Sequence, residues 1–266
     1  MRVVVLTSST DGTAAYAVPL LVKEGTIKVE MVILNEGTIS NKKKHYRVKL
    51  KKLLKLGLLG ALNGIRMRKW FNQDAAKYLQ VTDLETTCKN NNIRFERTPS
   101  INCDNTRKLF KEANAELGLS LGNSFISKSV FSICPLGMLN IHGEILPDYQ
   151  NAQSIIWQLY NGSSETGYTI HKINSKIDQG DIVYQETIPI VFRDTLKDTV
   201  AYNCAQITKF ACMGLVKVVK TFNDYNGNAR PQGTGNHYTT PSWKQFSKIK
   251  NQFTRLKSNA GKNTLA

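Results

Sequence analysis

Apolar residues come in short unbroken runs along the first half of the chain, separated by longer stretches in which they recur every three or four positions. Residues 2–6 form a run typical of a buried strand. The turn from Thr7 to Gly12 follows, and then an apolar, helix-compatible stretch from Thr13 to Lys23. Residues 27–34 read as a second strand. Leucines at 50, 53, 54, 58, 59 and 62 keep helical spacing, interrupted by Gly57, Gly60 and Gly64. Asp104 or Asn105 can cap a helix running to Glu116, and residues 117–121 and 136–141 read as strands. A helical stretch from Ala152 to Tyr160 stops at Asn161-Gly162. Two β-rich runs (166–173 and 182–191) and a longer helix (195–222) come next. From Pro231 onward the pattern predicts an extended, polar and basic tail.

Alternation of strand and helix signals predicts an α/β chain with a mostly parallel sheet flanked by helices. Sites in such sheets lie beyond the carboxyl ends of the strands, so the turn at Thr7–Gly12 and the segment around His142 belong on one rim. At 266 residues, there is room for one α/β domain and a small appendage. The expected division is a catalytic domain over 1–191, with a basic insert at 42–70, followed by a helix and tail over 192–266. No run approaches a membrane span, and the N-terminus lacks the sections of a signal peptide, which predicts a cytoplasmic protein. Five scattered cysteines without a C-x-x-C pair predict reduced thiols.

Charge changes the picture at one place. The net charge is +16, and eleven Lys or Arg lie between Lys42 and Lys69 with no acid among them. So concentrated a positive field suits a phosphate-bearing substrate, a nucleic acid or an anionic membrane; a solvated amphipathic helix accounts for it equally well.

Of the four histidines, His142 alone combines a strand-end position with polar partners. Asn140 precedes it by two residues and therefore shares its face of the strand. Downstream, the turn Ile177-Asp178-Gln-Gly180-Asp181 carries carboxylates. Histidine, amide and carboxylate form a minimal set for acyl transfer to an amine: proton handling, oxyanion stabilisation and control of the histidine's tautomer. Spacing alone also allows a strand-end Asn and His that merely satisfy loop backbone.

The run Leu136-Gly-Met-Leu-Asn140-Ile-His142-Gly-Glu-Ile-Leu-Pro147 resembles the signature of the 10-formyltetrahydrofolate-dependent formyltransferases. The likeness continues in register over residues 100–191, through Glu165-Thr-Gly167 and Asp178-x-Gly180-Asp181. It implies a Rossmann-like formyltransferase fold, with 10-formyltetrahydrofolate as formyl donor and no metal. It also implies roles: Asn140 bonds the formyl oxygen, His142 acts beside the reacting carbon, and Asp178 orients the histidine. Asn123, Ser124, Phe125 and Ile126 correspond to a loop lining the folate's pterin, partly through backbone groups, and Asn174 and Ile177 to the facing loop.

Where relatives carry basic residues after Leu-Pro, this chain has Asp148 and Gln150, which sets its acceptor apart from a transfer RNA. The 75 residues after residue 191 do not accommodate the β-barrel of the transfer-RNA enzymes. By size and pattern the chain is similar to the sugar-nucleotide N-formyltransferases. That branch implies a nucleotide-linked amino sugar as acceptor, with Lys42–Lys44, Arg66 and Arg68 as a basic rim for its pyrophosphate. Other readings stay open: an RNA-linked or small-molecule amine as acceptor, or a non-catalytic scaffold that binds an anionic membrane or nucleic acid through 42–69. A homodimer contact through the 195–222 helix and the tail is also open.

Overall fold

The computed structural model describes residues 1–37, 42–152 and 155–263; within 42–55 it describes the backbone throughout and only some of the side chains. Seven strands form one sheet: β1 (Arg2–Thr7), β2 (Lys28–Asn35), β3 (Arg94–Thr98), β4 (Leu117–Leu121), β5 (Met138–His142), β6 (Glu165–Lys172) and β7 (Ile182–Pro189). Their spatial order is β3-β2-β1-β4-β5-β6-β7. The first five are mutually parallel, and β6 and β7 add antiparallel hairpin strands. The helices are α1 (Thr13–Lys23), α2 (Lys42–Lys69), α3 (Ala75–Leu79), α4 (Leu84–Asn90), α5 (Asp104–Ala113), α6 (Lys128–Phe131), α7 (Ile156–Asn161), α8 (Leu196–Lys220), α9 (Phe222–Gly227) and α10 (Trp243–Asn263). A wide π turn (Trp70–Asp74) joins α2 to α3.

The sheet separates two cores, as the two-residue period of a strand requires. Val3 and Val5 of β1 face a large cluster with α1, α4, α7, α8 and α10. Val4 and Leu6 face a smaller one with α5 and α6. A parallel strand buried on both faces needs no polar alternation, which is why residues 2–6 read as a continuous apolar run.

Two elements depart from the expected pattern. The stretch from Pro231 onward is not an extended tail: it contains α10, a 21-residue helix packed on α2 and α7. Phe246, Ile249, Phe253 and Leu256 carry its buried stripe, at spacings of three and four. Ser242 and Gln245 start it with a reciprocal cap, the Gln245 amide donating to Ser242 Oγ (3.4 Å) and the Ser242 amide to Gln245 Oε1 (2.8 Å). Four buried apolar residues among so many lysines and asparagines leave a weak compositional signal. Strand β3 is the second departure. It is an edge strand whose Arg94 and Arg97 pair with Glu96, Glu112 and Glu85, so its apolar content is low. The leucine-rich segment is helical, but Gly57 breaks it with φ 68° and ψ 168°.

Candidate active site

Strands β1, β4 and β5 end on a common rim. Asn140 and His142 project from the carboxyl end of β5, which has parallel β4 on one side and antiparallel β6 on the other. That pairing sets Asn140 opposite His171, and His142 opposite Thr169. His171, for which the sequence pattern gave no role, is therefore part of the site. Its Nδ1 lies 2.9 Å from the carbonyl of Lys172 and its Nε2 lies 3.1 Å from Asn140 Nδ2. A carbonyl can only accept, so Nδ1 carries the ring proton and the bare Nε2 accepts from the amide. Burial, with the nearby His142 adding to it, pushes the His171 pKa down to about 4, so the ring is neutral near pH 7. One N–H of Asn140 is thus committed, its orientation is set, and the second N–H is left for the cleft.

His142 is held the opposite way. Its Nε2 lies 2.9 Å from the carbonyl of Tyr149 and must donate to it, which leaves Nδ1 as the atom able to take a proton. Asp178 Oδ2 lies 3.7 Å from that Nδ1, and Asp178 Oδ1 lies 3.9 Å from His171 Nε2. Asp178 itself adopts φ 54° and accepts the backbone N–H of Asn151 at 3.0 Å. Its loop is drawn against β6 at Gly180, where any Cβ would overlap the Lys172 carbonyl. Thus the three residues singled out from the sequence converge, with His171 as a fourth.

These groups open into a cleft of about 1080 Å³. Asn123, Ser124, Phe125 and Ile126 line one side; Asn174 and Ile177 line the other. Two of these side chains serve the scaffold. Asn123 Nδ2 donates to the Leu6 carbonyl (2.6 Å), and Asn174 bonds Gln179 and Lys176 within its own loop. Phe125 and Ile177 are about half exposed and form apolar walls; Ile126 is buried behind them. A cleft of this volume, lined by apolar side chains and a few polar groups, can take a heteroaromatic ligand.

Two further segments line the cleft. Helix α2 contributes Arg68, which the sequence pointed to, and Lys51, which it did not; the segment before α10 contributes Thr239 and Thr240, for which the sequence gave no signal. Of the expected basic rim, Arg68 faces the cleft. Arg66 instead lies over the rings of Trp70 and Phe246, 5.5 Å and 5.9 Å from their centroids. The side chains of Lys42, Lys43 and Lys44 lie outside the described residues. Among the described residues, no cluster of three His, Cys, Asp or Glu could hold a metal ion.

A proton acceptor, an oriented amide and a carboxylate on the rim of a Rossmann-like sheet make this a group-transfer enzyme of the α/β class. The chain belongs to the formyl transferase family, whose model matches residues 1–211. That family's formyl donor is 10-formyltetrahydrofolate. A methionyl-tRNA formyltransferase of Azobacteroides pseudotrichonymphae is 34% identical over 120 residues, 44% of this chain and 34% of that protein. The bifunctional polymyxin resistance protein ArnA of Wigglesworthia glossinidia brevipalpis is 40% identical over 72 residues, 27% of this chain and 11% of that protein. These matches therefore span about a third or less of the length of those relatives. Among solved structures, phosphoribosylglycinamide formyltransferase from Anaplasma phagocytophilum superposes with TM-score 0.58 at 15% identity, covering 90% of this chain and 99% of the other. WlaRD, a sugar 3N-formyl transferase solved in the presence of dTDP and 5-N-formyl-THF, superposes with TM-score 0.53 at 17% identity, covering 96% and 78%. At these identities the likeness is one of fold. No helix among the described residues is long and apolar enough to cross a membrane.

Proposed function

We propose that this chain transfers a formyl group from 10-formyltetrahydrofolate to the amino group of a nucleotide-linked amino sugar, with Asn140, His142 and Asp178 as the catalytic residues. The observation that carries the chemistry is the opposite tethering of Asn140 and His142, one presenting a donor to the cleft and the other a proton acceptor. Bound 10-formyltetrahydrofolate supplies a formyl carbon already activated by its nitrogen leaving group. The free N–H of Asn140 donates to the carbonyl oxygen of that group as negative charge develops there. Such a pre-oriented donor is worth about a hundred- to a thousand-fold in rate.

The attacking amine has to shed a proton. His142 Nδ1 is the available acceptor, because Nε2 is tied to the Tyr149 carbonyl. Once protonated, the ring has both N–H groups engaged, one toward the Tyr149 carbonyl and one toward Asp178, 3.7 Å away. Asp178 stabilises that cation, and the proton is returned, through water, to the folate nitrogen as its bond to the formyl carbon breaks and tetrahydrofolate leaves. Asn123 through Ile126 and Asn174 with Ile177 would hold the folate, Asn123 and Asn174 by shaping their loops and the apolar residues by contact.

Support for the acceptor comes from the second arm of the cleft. Lys51 and Arg68 line it, suiting a pyrophosphate, and the polar Thr239 and Thr240 face it, suiting a sugar. The fold neighbour solved in the presence of dTDP is a sugar 3N-formyl transferase whose match covers 96% of this chain. The test is tetrahydrofolate release from 10-formyltetrahydrofolate with a panel of amino-sugar nucleotides. Turnover with one member, abolished in His142→Ala, is expected; Arg68→Ala should raise KM for the nucleotide sugar and leave kcat within about twofold. Turnover with glycinamide ribonucleotide or an aminoacyl-RNA, and with no sugar, would replace the acceptor assignment.

A further inference from the structure

Helix α2 presents to solvent a set of leucines that neither the sheet nor the cleft uses. Leu54 is 75% exposed and Leu58 68%, with Leu50, Leu59 and Leu62 about half exposed. Beyond the Gly57 break, Leu58 and Leu62 stand at i and i+4 on one face, while Gly60, Asn63 and Met67 turn inward and Ile65 lines the cleft. The backbone of Trp243, a residue half exposed at the start of α10, packs against Gly60 on the inward face of α2. Exposed Arg47, Lys51, Arg68 and Lys69 share the helix with these leucines, and no acid lies between residues 42 and 69. So many exposed leucines on one helix are uncommon on a free monomer face.

We propose that α2, with Trp243, is an interfacial helix pair that docks on an anionic lipid bilayer. Charge decides between occupants. A second copy of this chain would bring the same all-basic segment against itself, since a twofold contact sets a patch on its own image. RNA would satisfy the cations but gain nothing from five exposed leucines. Anionic headgroups at the level of the lysines and arginines, with acyl chains receiving the leucines, satisfy both halves at once. Trp243 adds the residue type that settles at the headgroup boundary. Because Lys51 and Arg68 also line the cleft, docking sets the cleft mouth beside the membrane, whatever the acceptor proves to be.

The experiment is flotation of the full chain with vesicles of phosphatidylcholine containing phosphatidylglycerol, against phosphatidylcholine alone, at low and high salt. Co-flotation with the anionic vesicles only, weakened several-fold by salt, is expected. The combined variant Leu54→Asp, Leu58→Asp, Leu62→Asp, all exposed positions, should lower partitioning at least tenfold with unchanged circular dichroism and Tm. Arg47→Glu with Lys69→Glu should lower it by a similar factor. An unchanged partition in the leucine variant would mean purely electrostatic adhesion and overturn the interfacial assignment. So would absence of vesicle binding, whether accompanied by RNA binding or by a wild-type dimer that the leucine variant dissolves.

Discussion

Replacing His171 by Phe removes the group that orients the Asn140 amide while keeping most of the buried volume. The hydrogen bond to Nε2 is 3.1 Å long, and such a bond contributes about 0.5–1.5 kcal/mol net. Its loss lets the amide populate the flipped orientation, in which the oxygen faces the cleft. A bias of that size corresponds to a factor of roughly 2 to 13 in the ratio of the two orientations, so kcat should fall by no more than that factor, and by about twofold if the orientations are otherwise equal. That is well short of the hundred- to thousand-fold expected for Asn140→Ala, which removes the donor itself. KM for folate should change little. Loss of the proton donor to the Lys172 carbonyl should also destabilise the fold by about 1–3 kcal/mol, visible as a lower Tm. His171→Gln, whose side-chain oxygen can accept from Asn140, should recover most of kcat. The assay is steady-state release of tetrahydrofolate across pH. In the wild type, protonation of His171 near pH 4 fills Nε2 and expels the amide, so the acid limb of kcat should contain a group that His171→Gln lacks. Equal kcat in His171→Phe and wild type would refute the orienting role. The same histidine predicts a stability trend. Its folded pKa is depressed from 6.5 to about 4, so the unfolded chain gains a proton first, and stability is lost as pH falls through that window.

Three other positions give independent expectations. Glu144 is fully buried, with Gln158 as its partner and one carboxyl oxygen unbonded, and burial holds its pKa well above 4.5. The folded chain keeps that proton while the unfolded chain releases it, so stability falls as pH rises above 4.5; Glu144→Gln should raise Tm at pH 7 and lose that advantage near pH 4. Gly180→Ala should push the Asp178 loop off the Lys172 carbonyl and cut kcat at least tenfold, and unaltered kinetics would show that the loop relaxes without moving Asp178. Burial raises the Cys103 thiol, but hydrogen bonds from Thr106 and Thr98 outweigh it and bring its pKa to about 6, whereas burial pushes Cys88 and Cys134 up to about 11. Iodoacetamide at pH 7 should therefore label Cys103 ahead of those two, as read by peptide mass spectrometry.

Much of this molecule is written in local pattern. The continuous apolar run at residues 2–6 and the helix–strand alternation specify a sheet covered on both faces, because each strand's burial is a property of its own residues. Asn140 and His142, two apart in a strand, had to share a face. What local pattern could not supply was any relation depending on register between distant segments. His171 stands opposite Asn140 only because β6 pairs antiparallel to β5, across 31 residues of chain. Its tautomer, and with it the direction of the amide, follows from a carbonyl on the next residue of that strand. Likewise Lys51, Arg68 and Thr240 reach one cleft from segments that share no motif. Helix α10 was hidden for a different reason. Its four buried residues are diluted by a polar majority, so the helix announces itself by the periodicity and the cap at Ser242, not by composition. The sequence alone therefore determined the layers, the rim and the residue types able to do acyl transfer. The tertiary structure decided which nitrogen of each histidine is free, since that depends on which carbonyl the folded chain sets against the other.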